Sequence, residues 1–323
     1  MEINWGIIGC GDVTEIKSGP AFNKVPCSRL VAVMRRNAAR AQDYAERHRV
    51  PTWYSDARQL IDDPAVTAVY IATPPSSHEQ YAIEALRSGK PVYLEKPMST
   101  DAASARRIAA AAKETGVKLS IAHYRRKQPL FLKVRSLLDE KVIGDIRLVN
   151  LQCHQPHLSR QVVWTEDNWR LNPAVSGGGL FHDLAPHQLD LMRYFFGPVK
   201  AASGIAVNVA GLYEADDTVS GQIVFKNGVL FTGSWSFVVD QKKDFCEIIG
   251  TKGTIAFSIF EHQPLIIIRN GKEEKFVFDK LEHVQQPMID AVVQYFLGHG
   301  PNPCSADEGA EIMELIDAFT GRR

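Results

Sequence analysis

The chain has 323 residues, of which 45% are hydrophobic and 23% are charged, and its 37 basic and 37 acidic side chains give a formal net charge of +0. This length predicts about two domains, and the balanced charge provides no field that would attract nucleic acid. No apolar run reaches the ~18 residues of a membrane span, and no secretory leader precedes the first predicted strand. We therefore expect a cytoplasmic protein with no nucleic-acid or membrane partner.

The first predicted element is a strand that ends in a Gly-x-Gly turn. Gly9 and Gly11 form this turn, and a helical pattern follows over residues 15–23. Strand, glycine turn and helix in this order present backbone N–H groups and the positive end of a helix dipole to a phosphate. Because Thr14 replaces the third glycine of the dinucleotide-binding fingerprint, the motif also fits an ordinary strand-to-helix turn.

The end of the second predicted strand distinguishes between the two nicotinamide cofactors. This strand covers residues 29–34, and a helix over residues 38–48 completes a βαβ unit of a doubly wound parallel sheet. NAD sites usually carry an acidic residue at this strand end, where this chain has Arg35 and Arg36. A guanidinium pairs with the 2′-phosphate that a carboxylate repels. NADP(H) is therefore favoured over NAD(H), unless both arginines are ordinary surface charges.

Two later strand ends carry further polar residues. Strands are predicted at residues 52–54, 66–72 and 91–94, and helices at 56–61 and 79–88. The strand over 66–72 leads into Thr73, Pro74 and His78, and the strand over 91–94 leads into Glu95 and Lys96. Ligands bind beyond the carboxyl ends of the strands in an open parallel sheet. We therefore expect these residues beside the glycine turn, although a lysine after a glutamate is more often a surface ion pair.

The second half of the chain is dominated by strands. Strands are predicted at residues 146–154, 201–209, 218–225, 229–239, 245–250, 254–259, 265–268 and 275–278, and helices at 130–141, 288–297 and 307–319. Asn-Gly pairs at Asn227 and Asn270 are typical of hairpins. This pattern predicts an open, mainly antiparallel sheet with helices on one face, so that an α+β domain follows the α/β domain.

Another group of polar residues lies within residues 164–190. The glycines at 177–179 would let the backbone approach a ligand closely, and a helix is expected to begin near Asp183 because a helix tolerates Pro186 in its first turn. Asp183 and His187 then face the same side, where a carboxylate and an imidazole can hold a hydroxyl and transfer its proton. Alternatively, Asp183 caps the helix and His187 is a hydrogen-bonded, partly buried histidine.

Metal binding and disulfide bonds are not expected. The histidines of the second half have none of the spacings of a zinc centre. The five cysteines are scattered and never occur as Cys-x-x-Cys.

Four motifs together resemble one protein family. The glycine turn, Thr-Pro-x-x-x-His at 73–78, Glu-Lys-Pro at 95–97 and Gly-Gly-Gly-x-x-x-Asp-x-x-x-His at 177–187 resemble the glucose–fructose oxidoreductase / inositol dehydrogenase (Gfo/Idh/MocA) family of NAD(P)-dependent oxidoreductases. The resemblance implies a dinucleotide-binding Rossmann domain over residues 1–123 and a substrate-binding and oligomerisation domain over 124–323. It also implies a sugar, cyclitol or related polyol as substrate, no metal, and homodimers or homotetramers formed through the C-terminal sheet.

The resemblance further implies roles for single residues. Lys96 would polarise the reacting oxygen, His187 would exchange its proton, and Asp183 would hold a neighbouring hydroxyl. Together with the strand-end patterns, it assigns the cofactor site to Gly9, Gly11, Asp12, Val13, Arg35, Arg36, Thr73, Pro74, His78, Glu95 and Lys96. It assigns the substrate pocket to Lys96, Tyr124, Arg126, His154, Trp169, Arg170, Asp183 and His187.

The predicted function is hydride transfer between NADP(H), with NAD(H) as the second possibility, and a hydroxyl or ketone of such a polyol. One alternative is a glycosidase that keeps its dinucleotide bound, oxidises a sugar transiently and eliminates the leaving group; net consumption of NADPH would exclude it. The other alternative is a non-catalytic dinucleotide sensor. The joint presence of Lys96, Asp183 and His187 argues against a sensor, which needs no proton relay.

Overall fold

A computed structural model describes residues 2–157 and 168–321 of the chain. The chain divides into two compact units, Met1–Gln128 with Leu281–Met313 and Pro129–Lys280 with Glu314–Arg323. A single boundary after residue 123 does not describe this division, because residues 281–313 return to the first unit. Residues 164–167, the first part of the predicted polar segment, lie outside the described residues.

The first unit is built on a six-stranded parallel sheet in the order β3-β2-β1-β4-β5-β6. Its strands are β1 (Ile3–Ile8), β2 (Ser28–Met34), β3 (Thr52–Tyr54), β4 (Ala68–Ile71), β5 (Val92–Leu94) and β6 (Leu119–Ile121). The strand order reverses where β1 and β4 are neighbours, and ligands of open α/β sheets bind at such a point. The predicted doubly wound Rossmann sheet is confirmed.

Helices connect these strands, and side-chain caps set where several of them begin. They are α1 (Asp12–Ile16), α2 (Ala38–His48), α3 (Ala57–Asp62), α4 (His78–Arg87) and α5 (Ala102–Thr115). Asn37, Asp56 and Asp101 each accept a hydrogen bond from a main-chain N–H in the first turn of α2, α3 and α5, respectively. Such caps satisfy donors that have no partner within the helix.

The first helix is shorter than predicted. The helical pattern over residues 15–23 divides into α1 and a separate 3-10 turn over Gly19–Asn23. A Cβ at Gly19 would clash with the carbonyl oxygen of Thr14 and the hydroxyl of Tyr44. Pro20 follows and provides no N–H for a continuing helix. The close approach and the proline therefore end the helix early.

The second unit contains an eight-stranded sheet in the order β14-β13-β12-β11-β7-β10-β9-β8. Its strands are β7 (Ile146–His154), β8 (Val199–Val207), β9 (Thr218–Phe225), β10 (Leu230–Ser236), β11 (Lys243–Gly250), β12 (Thr254–Phe257), β13 (Leu265–Arg269) and β14 (Lys272–Phe276), and its helices are α6 (Pro129–Asp139), α7 (Pro173–Ser176) and α8 (Gly179–Phe196). Only β7 and β10 pair in parallel; the other neighbours are antiparallel. The predicted mainly antiparallel sheet is confirmed.

Helix α8 packs on one face of this sheet. The Phe181 ring meets the Trp235 ring of β10 at a centroid distance of 5.2 Å. The Trp235 indole also donates a hydrogen bond to the Gln188 side-chain oxygen at 2.6 Å. Trp235 pairs with Cys153 of β7, so α8 covers the sheet face that carries these two side chains.

The expected start of α8 near Asp183 is wrong. The helix begins four residues earlier, at Gly179, and Pro186 lies inside it. A proline within a helix costs about 3 kcal/mol, because it removes one hydrogen bond and clashes with the preceding turn. Burial of Leu180 and Phe181 contributes roughly 1.5–3 kcal/mol for each side chain. Burial in the first turn therefore offsets the cost of the internal proline.

Two helices close the chain, α9 (Gln286–Leu297) and α10 (Ala306–Thr320). Helix α9 packs in the first unit, where the Phe296 ring lies 5.6 Å from the Trp5 ring of β1. The Lys118 ammonium donates to the carbonyl oxygens of Tyr295 and Phe296 at 2.8 and 3.0 Å, and so neutralises the negative end of α9. These contacts assign residues 281–313 to the first unit. No helix in the described parts of the chain is long and apolar enough to span a membrane.

Candidate functional site

The glycine turn lies at the carboxyl end of β1 and packs against the turn after β4. Gly9 has a φ of +94°, and a Cβ there would stand 2.7 Å from the Thr73 nitrogen. A Cβ at Gly11, in contrast, would meet no atom closer than the Gly9 carbonyl oxygen at 4.0 Å. The turn therefore requires a glycine at position 9, whereas Gly11 leaves open space beside the first helical residues, Asp12 and Val13. The first N–H groups of a helix have no partner within it.

Thr14 takes over the packing role of the missing third glycine. Its hydroxyl donates to the Gly11 carbonyl oxygen at 2.7 Å, and its own carbonyl accepts a hydrogen bond from the Tyr44 hydroxyl at 2.8 Å. Thr14 is buried. The start of α1 is thereby tied to α2 without a glycine.

Only one of the two arginines at the end of β2 turns back towards the glycine turn. Arg35 is half-buried, and its guanidinium donates to the Cys10 carbonyl oxygen at 3.3 Å. Arg36 is exposed to solvent. The Arg35 side chain therefore lies where it can pair with a phosphate near the turn.

His78 supports the site instead of presenting a surface to a cofactor. The ring has no exposed surface. Its Nδ1 lies 3.0 Å from the Pro97 carbonyl oxygen, and its Nε2 lies 2.7 Å from the Thr73 carbonyl oxygen. Burial lowers the pKa of His78 to about 4, so the ring is neutral near pH 7 and donates from one nitrogen. His78 thus lies between the turn after β4 and the turn after β5.

Glu95 is likewise buried, and it holds the start of the Lys96 turn. Its carboxylate accepts hydrogen bonds from the Tyr70 hydroxyl at 2.5 Å, the Gln285 amide at 2.6 Å and the Lys96 main-chain N–H at 3.0 Å. Burial and the Glu95 charge raise the pKa of Tyr70 well above its usual value, which keeps the hydroxyl a donor. Glu95 thus supports the main chain at Lys96. Lys96 itself is half-buried, and its peptide bond to Pro97 is cis.

In the second unit, Asp183 and His187 lie on successive turns of α8. The Arg170 guanidinium donates to the Asp183 carboxylate at 3.2 Å, and both side chains are largely buried, with 7% and 17% exposed. Arg170 also lies over the Trp169 ring, 4.4 Å from its centroid. Asp183 is therefore an ion-paired residue within the helix, not its cap. His187 is 5% exposed.

The glycines before α8 are required by packing. A Cβ at Gly178 would clash with the His182 ring, and one at Gly179, where φ is +78°, would stand 2.5 Å from the Ala215 side chain. Both positions thus allow close contact within the protein. The expected approach of this backbone to a ligand does not explain these two glycines.

Two residues predicted in the substrate pocket have other partners. Arg126 is buried and donates to Glu308 at 2.8 Å; although burial raises the pKa of Glu308, the Arg126 charge lowers it below its usual range. His154 contacts the Ser234 hydroxyl at 3.0 Å. Side chains alternate along a strand, so His154 lies on the sheet face opposite Cys153 and α8.

The remaining predicted pocket residues are divided between the two units. Tyr124 is buried in the first unit, with the Arg125 guanidinium 5.6 Å from its ring centroid. Trp169, Arg170 and Asp183 are in contact in the second unit. Within residues 2–157 and 168–321, no group of three or more His, Cys, Asp or Glu side chains is arranged to hold a metal ion.

Two supporting residues were not predicted. Tyr70 belongs to an apolar strand, where a buried tyrosine hydroxyl requires a partner, and this requirement is a usable sequence signal. Gln285 carries no such signal, because its partner Glu95 is 190 positions away in the sequence.

Comparison with known proteins agrees with this organisation. Residues 3–123 match an oxidoreductase family with an NAD-binding Rossmann fold, and residues 131–256 match the GFO/IDH/MocA C-terminal domain. Oxidoreductase P35 of Formosa agariphila is 47% identical over 320 residues, which cover 99% of each chain. The 1,5-anhydro-D-fructose reductase of Ensifer adhaerens is 26% identical over 94% of this chain and 91% of its own length. Levoglucosan dehydrogenase in complex with NADH has a TM-score of 0.89 at 21% identity, over 100% of this chain and 97% of that chain. The chain therefore belongs to the Gfo/Idh/MocA family and is an oxidoreductase with an NAD-binding Rossmann domain.

Proposed function

We propose that this oxidoreductase transfers a hydride between NADP(H), in preference to NAD(H), and a hydroxyl or ketone of a sugar, cyclitol or related polyol. The observation that carries the proposal is the pairing on α8 of a carboxylate, fixed by the buried Arg170, with an imidazole one turn later. The names of two relatives, a 1,5-anhydro-D-fructose reductase and a levoglucosan dehydrogenase, support a sugar-derived substrate.

The residues of the first unit fit a nicotinamide dinucleotide. The open space at Gly11 and the N–H groups of Asp12 and Val13 would hold the diphosphate, and Arg35 would pair with a 2′-phosphate. Thr73 and Pro74, in the turn that packs on Gly9, would border the ribose. When bound, the nicotinamide accepts or supplies the hydride.

Three side chains would act on the substrate. The Lys96 ammonium would stabilise negative charge that develops on the reacting oxygen. His187 would take the hydroxyl proton during oxidation and return it during reduction. Asp183 would accept a hydrogen bond from a neighbouring hydroxyl, while Arg170 holds its carboxylate in one orientation.

We also propose that the chain forms homodimers or homotetramers through the helix-free face of the eight-stranded sheet. Leu148, Ile205 and Val207 are 41%, 65% and 42% exposed. Apolar side chains exposed on an open sheet face are typical of an interface. We expect Ile205→Asp to lower the mass measured by light scattering after gel filtration, whereas a wild-type protein that is already monomeric would contradict the proposal.

The experiment that tests the function is a side-by-side fluorescence titration with NADPH and NADH, followed by addition of keto-sugars and polyols. We expect tighter binding of NADPH and a change in reduced-nicotinamide absorbance with at least one substrate. Binding without net turnover, accompanied by glycoside cleavage, would support the closed redox cycle of a glycosidase. Binding without either reaction would support a sensor.

A further inference from the structure

A single carboxylate fixes the segment that follows β12. The Asp244 carboxylate of β11 accepts hydrogen bonds from the main-chain N–H groups of Ile259 at 3.1 Å, Phe260 at 2.6 Å and Glu261 at 2.7 Å. The Asp244 carbonyl oxygen also accepts the Ser258 hydroxyl at 2.6 Å. Hydrogen bonds to a charged acceptor are stronger than neutral ones. The backbone of residues 258–261, here called the Asp244 loop, is therefore held in one conformation.

The Asp244 loop presents an aromatic ring to the imidazole of α8. The Phe260 and His187 rings lie 5.8 Å apart, with an angle of 76° between their planes. This edge-to-face arrangement is favoured between aromatic rings. Phe260 is half-buried, whereas Ile259 before it is only 3% exposed and anchors the loop in the core. Ile259 therefore anchors the loop, and the Phe260 ring packs against His187.

We propose that Phe260 is a positioning residue that fixes the orientation of the His187 imidazole, and that Asp244 acts through Phe260. This proposal rests on the proposed role of His187 in proton transfer. The second torsion of a histidine side chain is broad, so the ring needs a neighbour to hold its nitrogens in a productive direction. A packed ring on a fixed backbone supplies such a neighbour, and small displacements of a reacting group reduce turnover strongly.

The contact can be measured without any turnover. In a proton–carbon correlation spectrum of protein labelled with ¹³C-histidine, the His187 signals are identified by their absence in His187→Asn. We expect Phe260→Ala to shift these signals, because the ring-current field of Phe260 is lost. Phe276→Ala is the matched control, since Phe276 is also half-buried and contacts a charged side chain, with the Lys133 ammonium 4.9 Å from its centroid. Unchanged His187 signals in Phe260→Ala would overturn the proposal.

The kinetic arm uses substrate turnover with NADPH. We expect Phe260→Ala to lower kcat about tenfold with little change in KM or in NADPH binding, and Phe260→Tyr to restore most of kcat. Asp244→Asn should lower kcat in the same direction, and the double variant Asp244→Asn/Phe260→Ala should be no slower than Phe260→Ala alone. If the reductions in kcat of the two single variants multiply in the double variant, Asp244 does not act through Phe260.

The two arms separate the proposals from each other. If the wild-type protein turns over none of the substrates, the proposed function fails, whereas the spectrum still decides whether the Phe260 ring packs against His187. If turnover is normal and equally fast in Phe260→Ala, the positioning role fails while the proposed function stands.

Discussion

The side-chain amide of Gln285 donates a hydrogen bond to the Glu95 carboxylate at 2.6 Å, between residues 190 positions apart in the sequence. The same amide lies 3.4 Å from the Tyr70 hydroxyl, and the Tyr93 hydroxyl donates to the Gln285 carbonyl oxygen at 3.1 Å. Glu95 in turn accepts the main-chain N–H of Lys96. A residue next to α9 thus supports the strand end that carries the proposed catalytic lysine.

Loss of the Gln285 amide should destabilise the protein. Gln285→Met keeps the approximate size of the side chain but removes a donor to the buried Glu95, so we expect the free energy of unfolding to fall by about 1–3 kcal/mol. Urea denaturation measures this change. Gln80→Met serves as the control, because Gln80 is exposed and pairs with Glu84 on α4. It should change the free energy of unfolding by less than about 0.5 kcal/mol. Equal effects of the two changes would contradict the support role of Gln285.

The two arginines after β2 should contribute unequally to NADPH binding. Arg35 contacts the glycine turn, whereas Arg36 is exposed. We therefore expect Arg35→Ala to raise the Kd for NADPH roughly 10- to 100-fold, as for the loss of a charged hydrogen bond, and Arg36→Ala to raise it less. Fluorescence titration provides both values. If Arg35→Ala raises the Kd for NADH by the same factor as the Kd for NADPH, Arg35 does not recognise the 2′-phosphate.

The ion pair between Arg170 and Asp183 should show strong coupling. Both side chains are largely buried, so removing either one leaves the other charge without this partner. We expect Arg170→Met and Asp183→Asn each to lower the free energy of unfolding by about 3 kcal/mol, and the double variant to lose much less than the sum. Thermal or urea unfolding of all four proteins measures the coupling energy. Additive losses would show that the two charges do not depend on each other.

Glu15, in the first turn of α1, should make a pH-dependent contribution to the free energy of unfolding. The hydrogen bond from Arg47 lowers the pKa of Glu15 to about 2, although burial opposes the shift. A carboxyl whose pKa is lowered by folding stabilises the protein above its unfolded pKa, and this stabilisation is lost as the pH falls through its folded pKa. Because Glu15 is 32% exposed, solvent screening reduces the contribution to about 1 kcal/mol.

Comparison of wild type with Glu15→Gln measures this contribution. We expect the difference in unfolding free energy to decline towards zero as the pH falls from 4.5 to about 2. Glu282→Gln is the comparison, since the Lys24 hydrogen bond also lowers the pKa of Glu282 but the side chain is 75% exposed, and its pH-dependent contribution should be smaller than that of Glu15. A difference for Glu15→Gln that does not vary with pH would refute the role of the Arg47 hydrogen bond.

Local pattern predicted much of the fold. Helix α2 and strand β7 begin and end at the predicted residues, because an amphipathic period or a strict alternation defines each of them. Asp183 and His187 were placed on one helix face from their spacing alone. The start of α8 was predicted wrongly, because burial of its first turn overrides the rule that proline belongs near a helix start.

Long-range contacts limited the prediction of the site. Glu95 bonds Gln285 and His187 contacts Phe260, and no local period links such distant residues. His154 shows a different limit, since alternation along β7 separates it from Cys153, but only the position of α8 reveals which face is covered.

Isotope transfer tests the central claim of hydride transfer most directly. Wild-type protein would be incubated with NADPH that carries deuterium in place of both hydrogens at nicotinamide C4 and with each keto-sugar of the panel, and the product would be analysed by mass spectrometry. The account predicts one deuterium on the new carbinol carbon, with stoichiometric formation of NADP⁺ and strongly reduced formation in Lys96→Met. Unlabelled product, or substrate cleavage without consumption of NADPH, would contradict it.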